Sequence, residues 1–441
     1  MRTVAECVAV LAEGSLTSVD LVEEALRRAE ATQPELRAFA RLRADRARVE
    51  AAVADELRRG GDTRPLLGVP FAAKANHDLA GEPATDLGTG REQPPAAADH
   101  PWIAALRGAG AVCVGQTTMP ELALWPYGPS RNPWDPTRSA GGSSTGSGAA
   151  VAAGVVPFAT ASDGAGSIRI PAALNGLVGL KLAPGVVPSP DHWHGMTSAG
   201  VLTRTTRDTA LVLSAALGDG RWTAAAEAAP TGLRVGLALR LPSPLGARPS
   251  AEVAGVVERA AELLRAAGHT VTSVSLPTAA VPLSLVPRYA RGGADDIAEL
   301  AAPGPLSPSG QLVTRLGRRF SPKVVAGARR RGDAIREKVR GLPVDVLLTP
   351  TTYRPAQPQA GFEGNGAAKG MFAALPWADW TGPWNVTGLP ALSAPVGVSA
   401  EGLPIGVQLV DVRGDGAVLL GLAQLLEEQL RWAERRPPVG A

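Results

Sequence analysis

The stretch Gly141–Gly179 holds two small-residue loops, each presenting a serine that neighbouring glycines leave sterically open. Ser143 and Ser144 follow Gly141 and Gly142, and Ser167 follows Asp163, Gly164, Ala165 and Gly166. A serine hydroxyl is a weak nucleophile until an adjacent base takes its proton. The candidate base is Lys74, at the end of the apolar run Leu66–Ala73. Lysine is scarce here: Lys181, Lys323, Lys338 and Lys369 are the others, and arginine supplies nearly all the remaining positive charge. Arginine stays protonated in a protein. A lysine at the end of a buried strand can be neutral, because burial lowers its pKa, and a neutral amine is a base. A snorkelling or salt-bridged lysine is the plainer alternative.

The elements that must position these groups follow from the patterning. Between the loops runs AAVAAGVVPFATA, apolar enough for a buried helix and then a short strand, which folds Ser167 back toward Ser143. A flexible Gly/Ser linker is the competing reading of Gly141–Gly146, but a linker belongs in polar sequence and this run enters an apolar segment. Gly142, Ser144 and Gly146 also imitate a nucleophile elbow, which needs a strand immediately before it. The prolines of Asn132–Arg138 argue against a central strand there.

The remainder reads as helices and strands in alternation. Thr17 and Asp20 form a capping box ahead of a helix ended by Pro34, and Arg37–Arg59 reads as a second helix. Gly110–Gly115 is a buried strand, and Thr203–Leu217 a helix. Strand Leu233–Arg240, helix Ala251–Ala267 and strand Thr270–Leu276 make a βαβ unit, hence a parallel pair. Val344–Leu348 and Gly406–Leu409 read as strands and Ala417–Arg431 as a helix, whereas Pro277–Gly310 shows little periodicity. Trp377, Trp380 and Trp384 cluster near the C-terminal third, and with Trp125 they are candidates to wall an apolar pocket, unless they are core.

Composition narrows the function classes. A net charge of +3, with basic residues spread out, implies neither nucleic acid nor membrane, and the Arg-rich Arg315–Arg340 reads as a solvated helix face. Cys7 and Cys113, far apart, suggest a reducing compartment without a disulfide framework. The first residues lack a signal-peptide pattern, and no apolar run reaches membrane length, so a cytoplasmic location is expected. His192 and His194 do not suit a metal pair. No cofactor is expected.

Four motifs, Gly68-Val-Pro-Phe-Ala-Ala-Lys74-Ala-Asn76, Gly141-Gly-Ser-Ser-Thr-Gly-Ser147, Asp163-Gly-Ala-Gly-Ser167-Ile-Arg-Ile-Pro171 and Gly388–Gly397 with Gly406-Val-Gln408, resemble the amidase signature family in type and order. The spacing of Ser143 and Ser167 agrees with that of the family's two catalytic serines. The resemblance implies an α/β fold with a central mixed twisted sheet covered by helices on both faces. It implies one amidase domain over residues 1–441: N-terminal helices to 65, a signature core over 66–217, a variable middle over 218–343, and the rest of the core over 344–441. It also implies Ser167 as nucleophile, Ser143 as bridging serine after a cis peptide, Lys74 as base, and backbone N–H groups of Gly164, Ala165, Gly166 and Ser167 as an oxyanion hole. The expected reaction is hydrolysis of a small-molecule carboxamide through an acyl-enzyme, with a homodimer as the expected assembly. Acyl transfer to an amine is the alternative within enzymes, and an amidotransferase-type or catalytically silent subunit the alternative outside them. The sequence departs from the family pattern at Ala75, Thr145, Ala165 and Leu182.

Overall fold

The computed structural model describes residues 2–242, 246–361 and 367–440. Its strands, in chain order, are β1 (Phe39–Leu42), β2 (Pro70–Lys74), β3 (Val112–Thr117), β4 (Arg131–Asn132), β5 (Asp135–Ser139), β6 (Phe158–Asp163), β7 (Val178–Lys181), β8 (Ser198–Thr203), β9 (Arg234–Leu237), β10 (Thr270–Ser273), β11 (Val346–Pro350), β12 (Ala391–Val398) and β13 (Pro404–Asp411). Among the described residues, 11 of these form one mixed sheet in the order β1-β3-β2-β6-β8-β7-β12-β13-β11-β9-β10, and β4 with β5 forms a separate hairpin. Helices pack on the sheet and bury its alternating apolar side chains in extended clusters.

The centre of the sheet is built for the serine loops. β2 runs parallel to β6, pairing Phe71 with Phe158, and both strands are buried along their whole length. The two phenyl rings stack at 5.3 Å, and burying each contributes about 1.5–3 kcal/mol. Parallel pairing puts the carboxyl ends of β2 and β6, hence Lys74 and Asp163, at the same edge. The connection between loops is helix Thr145–Ala152, whose residues are all buried. Its small side chains are a packing requirement: a Cβ on Gly146 would lie 2.2 Å from the Ala38 carbonyl oxygen and 2.5 Å from the Thr118 nitrogen.

Several expectations shift. The capping box of Thr17 and Asp20 is present, but helix Ser18–Leu36 continues two residues past Pro34 before Arg37 closes it in the left-handed region. The stretch read as one helix from Arg37 begins instead with β1, antiparallel to β3, and the helix covers Ala44–Arg59. β9 and β10 pair in parallel around helix Ala251–Ala266, as the βαβ reading requires. The weakly patterned Pro277–Gly310 holds helix Pro282–Glu299, with Pro287 inside it.

Candidate active site

Lys74 ends β2 with its side chain fully buried. Its Nζ donates to Ser143 Oγ at 2.8 Å and to Ser162 Oγ at 2.8 Å, and Asn76 Nδ2 donates to the same Ser162 oxygen at 3.0 Å. Its backbone N–H donates to Thr160 Oγ1 at 2.9 Å, which fixes the strand against β6. Burial draws the ammonium down from its ordinary 10.5 to about 7, against the opposing pull of the Asp163 carboxylate. Lys181, at the end of β7, is also fully buried and lowered to about 7, by burial first and then by the charge of Arg169. Its Nζ meets only the Leu182 carbonyl at 3.2 Å among the described residues, so of the two buried amines Lys74 alone reaches a serine hydroxyl.

The Gly142–Ser143 peptide is cis, as the resemblance implies. Ser144, the elbow candidate, is buried, and its hydroxyl donates to the Ser162 carbonyl at 3.4 Å. Ser167 stands between β6 and helix Arg169–Asn175 and is only partly covered, lining a cavity that Gly142 also borders. The structure thus brings both serine loops to one cavity and Lys74 beneath the first of them.

The second loop is held by a buried ion pair. Asp163 and Arg169 are both fully buried, with Arg169 Nε 2.9 Å from Asp163 Oδ2 and Nη2 2.9 Å from Oδ1. The same guanidinium donates to Gln408 Oε1 at 2.7 Å, Asn385 Oδ1 at 2.6 Å and the Thr381 carbonyl at 3.0 Å. Asn385 Nδ2 donates back to the Asp163 carboxylate at 2.8 Å. Burial opposes ionisation of Asp163, but Arg169 outweighs it and holds the carboxyl well below the usual range. Asp163 in turn accepts the N–H of Gly166 at 2.6 Å and of Ile168 at 3.2 Å. The expectation that Gly166 donates to an oxyanion is corrected accordingly: its N–H is turned to Asp163. Gly166 has φ +125°, and a Cβ there would lie 2.2 Å from Thr381 Oγ1, so only glycine fits. Thr381 Oγ1 donates to the Ala165 carbonyl at 2.6 Å, and Ala165 faces the cavity. Arg169, Asn385 and Gln408 lie in or beside the recognised motifs, yet their polar side chains in otherwise apolar runs were the signal left unused.

The cavity beside Ser167 measures about 110 Å³ and is walled mostly by hydrocarbon, including Leu124, Trp125, Ile170, Trp193 and Leu285. The Tyr289 hydroxyl, at its edge, donates to the Leu124 carbonyl. Trp125 is one of its lining residues. Trp377, Trp380 and Trp384 do not line it: their exposures are 2%, 1% and 0%. Trp377 packs among Ile170, Leu174, Ala356 and Leu403, and the other two lie in the core with Val386 and Leu389. They are corrected from pocket wall to core, because the helix carrying Trp377 turns Ala374, Leu375 and Ala378 to the cavity. The missed wall is Trp193, whose ring lies against Gly164 so closely that a Cβ there would come within 2.7 Å. Its indole N–H donates to Asp296 at 2.9 Å, and the same carboxylate lies 2.5 Å from His192 Nε2. Trp384→Ala is therefore expected to cost about 3–5 kcal/mol of stability with little change in substrate preference. Trp193→Ala should instead change the ratio of kcat/KM for phenylacetamide over acetamide. Urea midpoints and that ratio, measured on both variants, check the assignment.

Comparison with known proteins gives the family and the fold. The amidase family model matches residues 20–420. A chain of Mycobacterium tuberculosis (strain ATCC 25618 / H37Rv) that bears the amidase name AmiB2 is 38% identical over 447 residues, covering 98% of this chain and 96% of its own. Among solved structures, 6-aminohexanoate cyclic dimer hydrolase complexed with substrate superimposes with a TM-score of 0.89 at 28% identity, covering 100% of this chain and 99% of that one. The native peptide amidase of Stenotrophomonas maltophilia gives 0.79 at 27% identity, covering 99% and 98%. Among the described residues no helix is long and apolar enough to cross a membrane. With the lysine beneath one serine loop and the second loop locked at the cavity, the chain is an amide-hydrolysing enzyme of the amidase signature family.

Proposed function

We propose that the protein hydrolyses small carboxamides with an apolar acyl group of up to aryl size, by an acyl-enzyme built on Ser167, Ser143 and Lys74. The observation that carries the mechanism is the 2.8 Å contact between a fully buried Lys74 Nζ and Ser143 Oγ. When Lys74 is neutral its lone pair can accept the Ser143 proton while Ser143 accepts that of Ser167, and Ser167 Oγ attacks the amide carbon. The negative charge on the carbonyl oxygen is met by backbone N–H groups, for which Gly164, Ala165 and Ser167 remain the candidates; losing one such donor typically costs about 3–4 kcal/mol. As the C–N bond breaks, the proton returns through Ser143 to the leaving nitrogen. Water then attacks the acyl carbon as its proton passes through Ser143 to Lys74, and the ester bond to Ser167 breaks as that proton returns through Ser143 to Ser167 Oγ, releasing the acid.

The substrate class rests on the cavity. Its volume of about 110 Å³ is near the ~150 Å³ of an engineered apolar cavity that takes benzene, and no charged side chain lines it among the described residues. The neighbours in structure act on a cyclic dimer of 6-aminohexanoate and on peptides, so the fold alone does not choose the acyl group. A fluorophosphonate probe tests the nucleophile: mass spectrometry should find the adduct on Ser167, and an adduct on Ser144 would overturn the assignment.

The lysine predicts the pH profile. A base must be deprotonated to act, so kcat/KM should rise with pH through an apparent pKa of about 7, the value to which burial draws Lys74. His192 is the competitor. Burial pulls it down, but the hydrogen bond and charge of Asp296 outweigh this and raise it. A rise that survives in Lys74→Ala and disappears in His192→Ala would assign the base to the histidine.

A further inference from the structure

A larger cavity, about 580 Å³, opens at the same sheet edge, where the chain leaves β7 and enters β8 and β12. None of its lining residues borders the cavity of Ser167. Four arginines line it: Arg288 from helix Pro282–Glu299, and Arg329, Arg336 and Arg340 from helix Pro322–Arg340. On that second helix the arginines and Asp333 recur at helical spacing and so share one face. Asp191 and Asp333 are the only acids in the lining among the described residues.

The charges are incompletely matched. Arg288 is 2% exposed, and its partners are the His194 carbonyl at 3.2 and 3.0 Å, the Val386 carbonyl at 3.2 Å and Ser284 Oγ at 3.4 Å. All are neutral, and among the described residues no carboxylate pairs with it. Burial, with the like charge of Arg329, draws its pKa down to about 10 against the opposing pull of the more distant Asp333 and Asp191. A buried cation without a counter-ion is costly, and an anion brought beside it removes that cost. Arg329 pairs with Asp191 at 3.4 Å, Arg336 with Asp333 at 2.8 Å, and Arg340 with Glu337, outside the lining, at 3.4 Å. Arg336 also lies 3.7 Å from Glu337 and donates to the Thr387 carbonyl at 3.2 Å; each guanidinium carries five N–H donors, more than these contacts use.

We propose that this cavity is a binding site for a small oxyanion of the phosphate class. Four guanidinium forks against Asp191, Asp333 and Glu337 leave an excess of positive charge, and their planar donors favour an oxyanion with several acceptor oxygens over a carboxylate with two. The site adjoins the substrate pocket through one loop: Arg329 pairs with Asp191, Arg288 holds the His194 carbonyl, and Trp193 between them walls the cavity of Ser167.

The test is calorimetric titration of inorganic phosphate into the full chain at constant ionic strength. A saturable isotherm with one site is expected. Arg329→Ala and Arg336→Ala, both on partly exposed side chains, should each weaken it about tenfold or more. Ser167→Ala and Arg318→Ala, an exposed arginine outside the cavity, should leave it unchanged. Circular dichroism confirms that the variants are folded. Absence of saturable binding to the wild-type chain, equal weakening by Arg318→Ala, or acetate binding as tightly as phosphate would each overturn the proposal.

Discussion

Alanine at Ser167 is expected to lower kcat about 10⁴-fold or more, alanine at Lys74 to do nearly the same, and the double variant to fall little further, because groups that act as one proton path are not additive. On the proposed mechanism Ser143→Ala belongs to the same unit, since it removes the atom 2.8 Å from Lys74 Nζ that would relay the proton. Loss of fold is the competing explanation for any inactive variant, and the lysine supplies a means of separating the two. Its folded pKa is about 7 and its unfolded value 10.5, so between these values the unfolded chain holds a proton that the folded chain lacks. Stability of the wild type should therefore rise across that window, with the full cost of burying the charge present below about pH 7 and gone above about pH 10.5. Lys181, lowered to about 7 as well, contributes a second rise of the same sign. Lys74→Met should remove one of the two increments while leaving a cooperative transition. Urea unfolding at pH 6.5, 8 and 9.5, with kcat measured on the same preparations, distinguishes a folded enzyme without its base from an unfolded chain. Activity of Lys74→Met within tenfold of the wild type would exclude lysine as the base.

What was legible in the sequence was whatever a short run of residues determines by itself. Lys74, Ser143 and Ser167 could be singled out as candidates because glycine-rich loops and a scarce lysine are local signals, and the helix and strand between the serines were legible because an apolar run of small residues has few other fates. The tryptophans were not legible, since which face of helix Ala367–Ala378 meets the cavity depends on partners distant in the chain: Ala378 lines the cavity while its neighbour Trp377 packs against Leu403. Trp193 was hidden for the same reason. Its indole is anchored by Asp296 and packed by Tyr289, both on a helix from the weakly patterned middle region. β1 escaped notice because four residues at a sheet edge, one face of them half exposed, carry too little alternation to compete with the helical pattern that follows.

Arg169→Ala is expected to destabilise the protein by about 3–5 kcal/mol, since removing one partner of a fully buried pair strands the other charge. The carboxylate left behind is Asp163, which organises the Ser167 loop by accepting the N–H groups of Gly166 and Ile168. Three further acceptors of the guanidinium, on Thr381, Asn385 and Gln408, tie that loop to the C-terminal part of the chain. Activity should therefore fall even under conditions where the variant remains folded. The acid limb of the stability curve gives an independent reading. Arg169 holds Asp163 below its ordinary pKa, so the pair contributes stability that is fully present above about pH 4 and is lost as pH falls through the depressed value. In Arg169→Ala this acid-side loss should shrink, because the carboxylate no longer prefers the folded state. Arg169→Lys keeps the charge but cannot reach Asp163, Asn385 and Gln408 together from one nitrogen, so it should recover part of the stability and little of the activity. Guanidinium midpoints at pH 7 and at about pH 2.5, below the ordinary carboxylate pKa, alongside kcat/KM at pH 7 for the three proteins, test this. If Arg169→Lys restored full activity, charge alone would hold the loop and the fork of hydrogen bonds would be incidental.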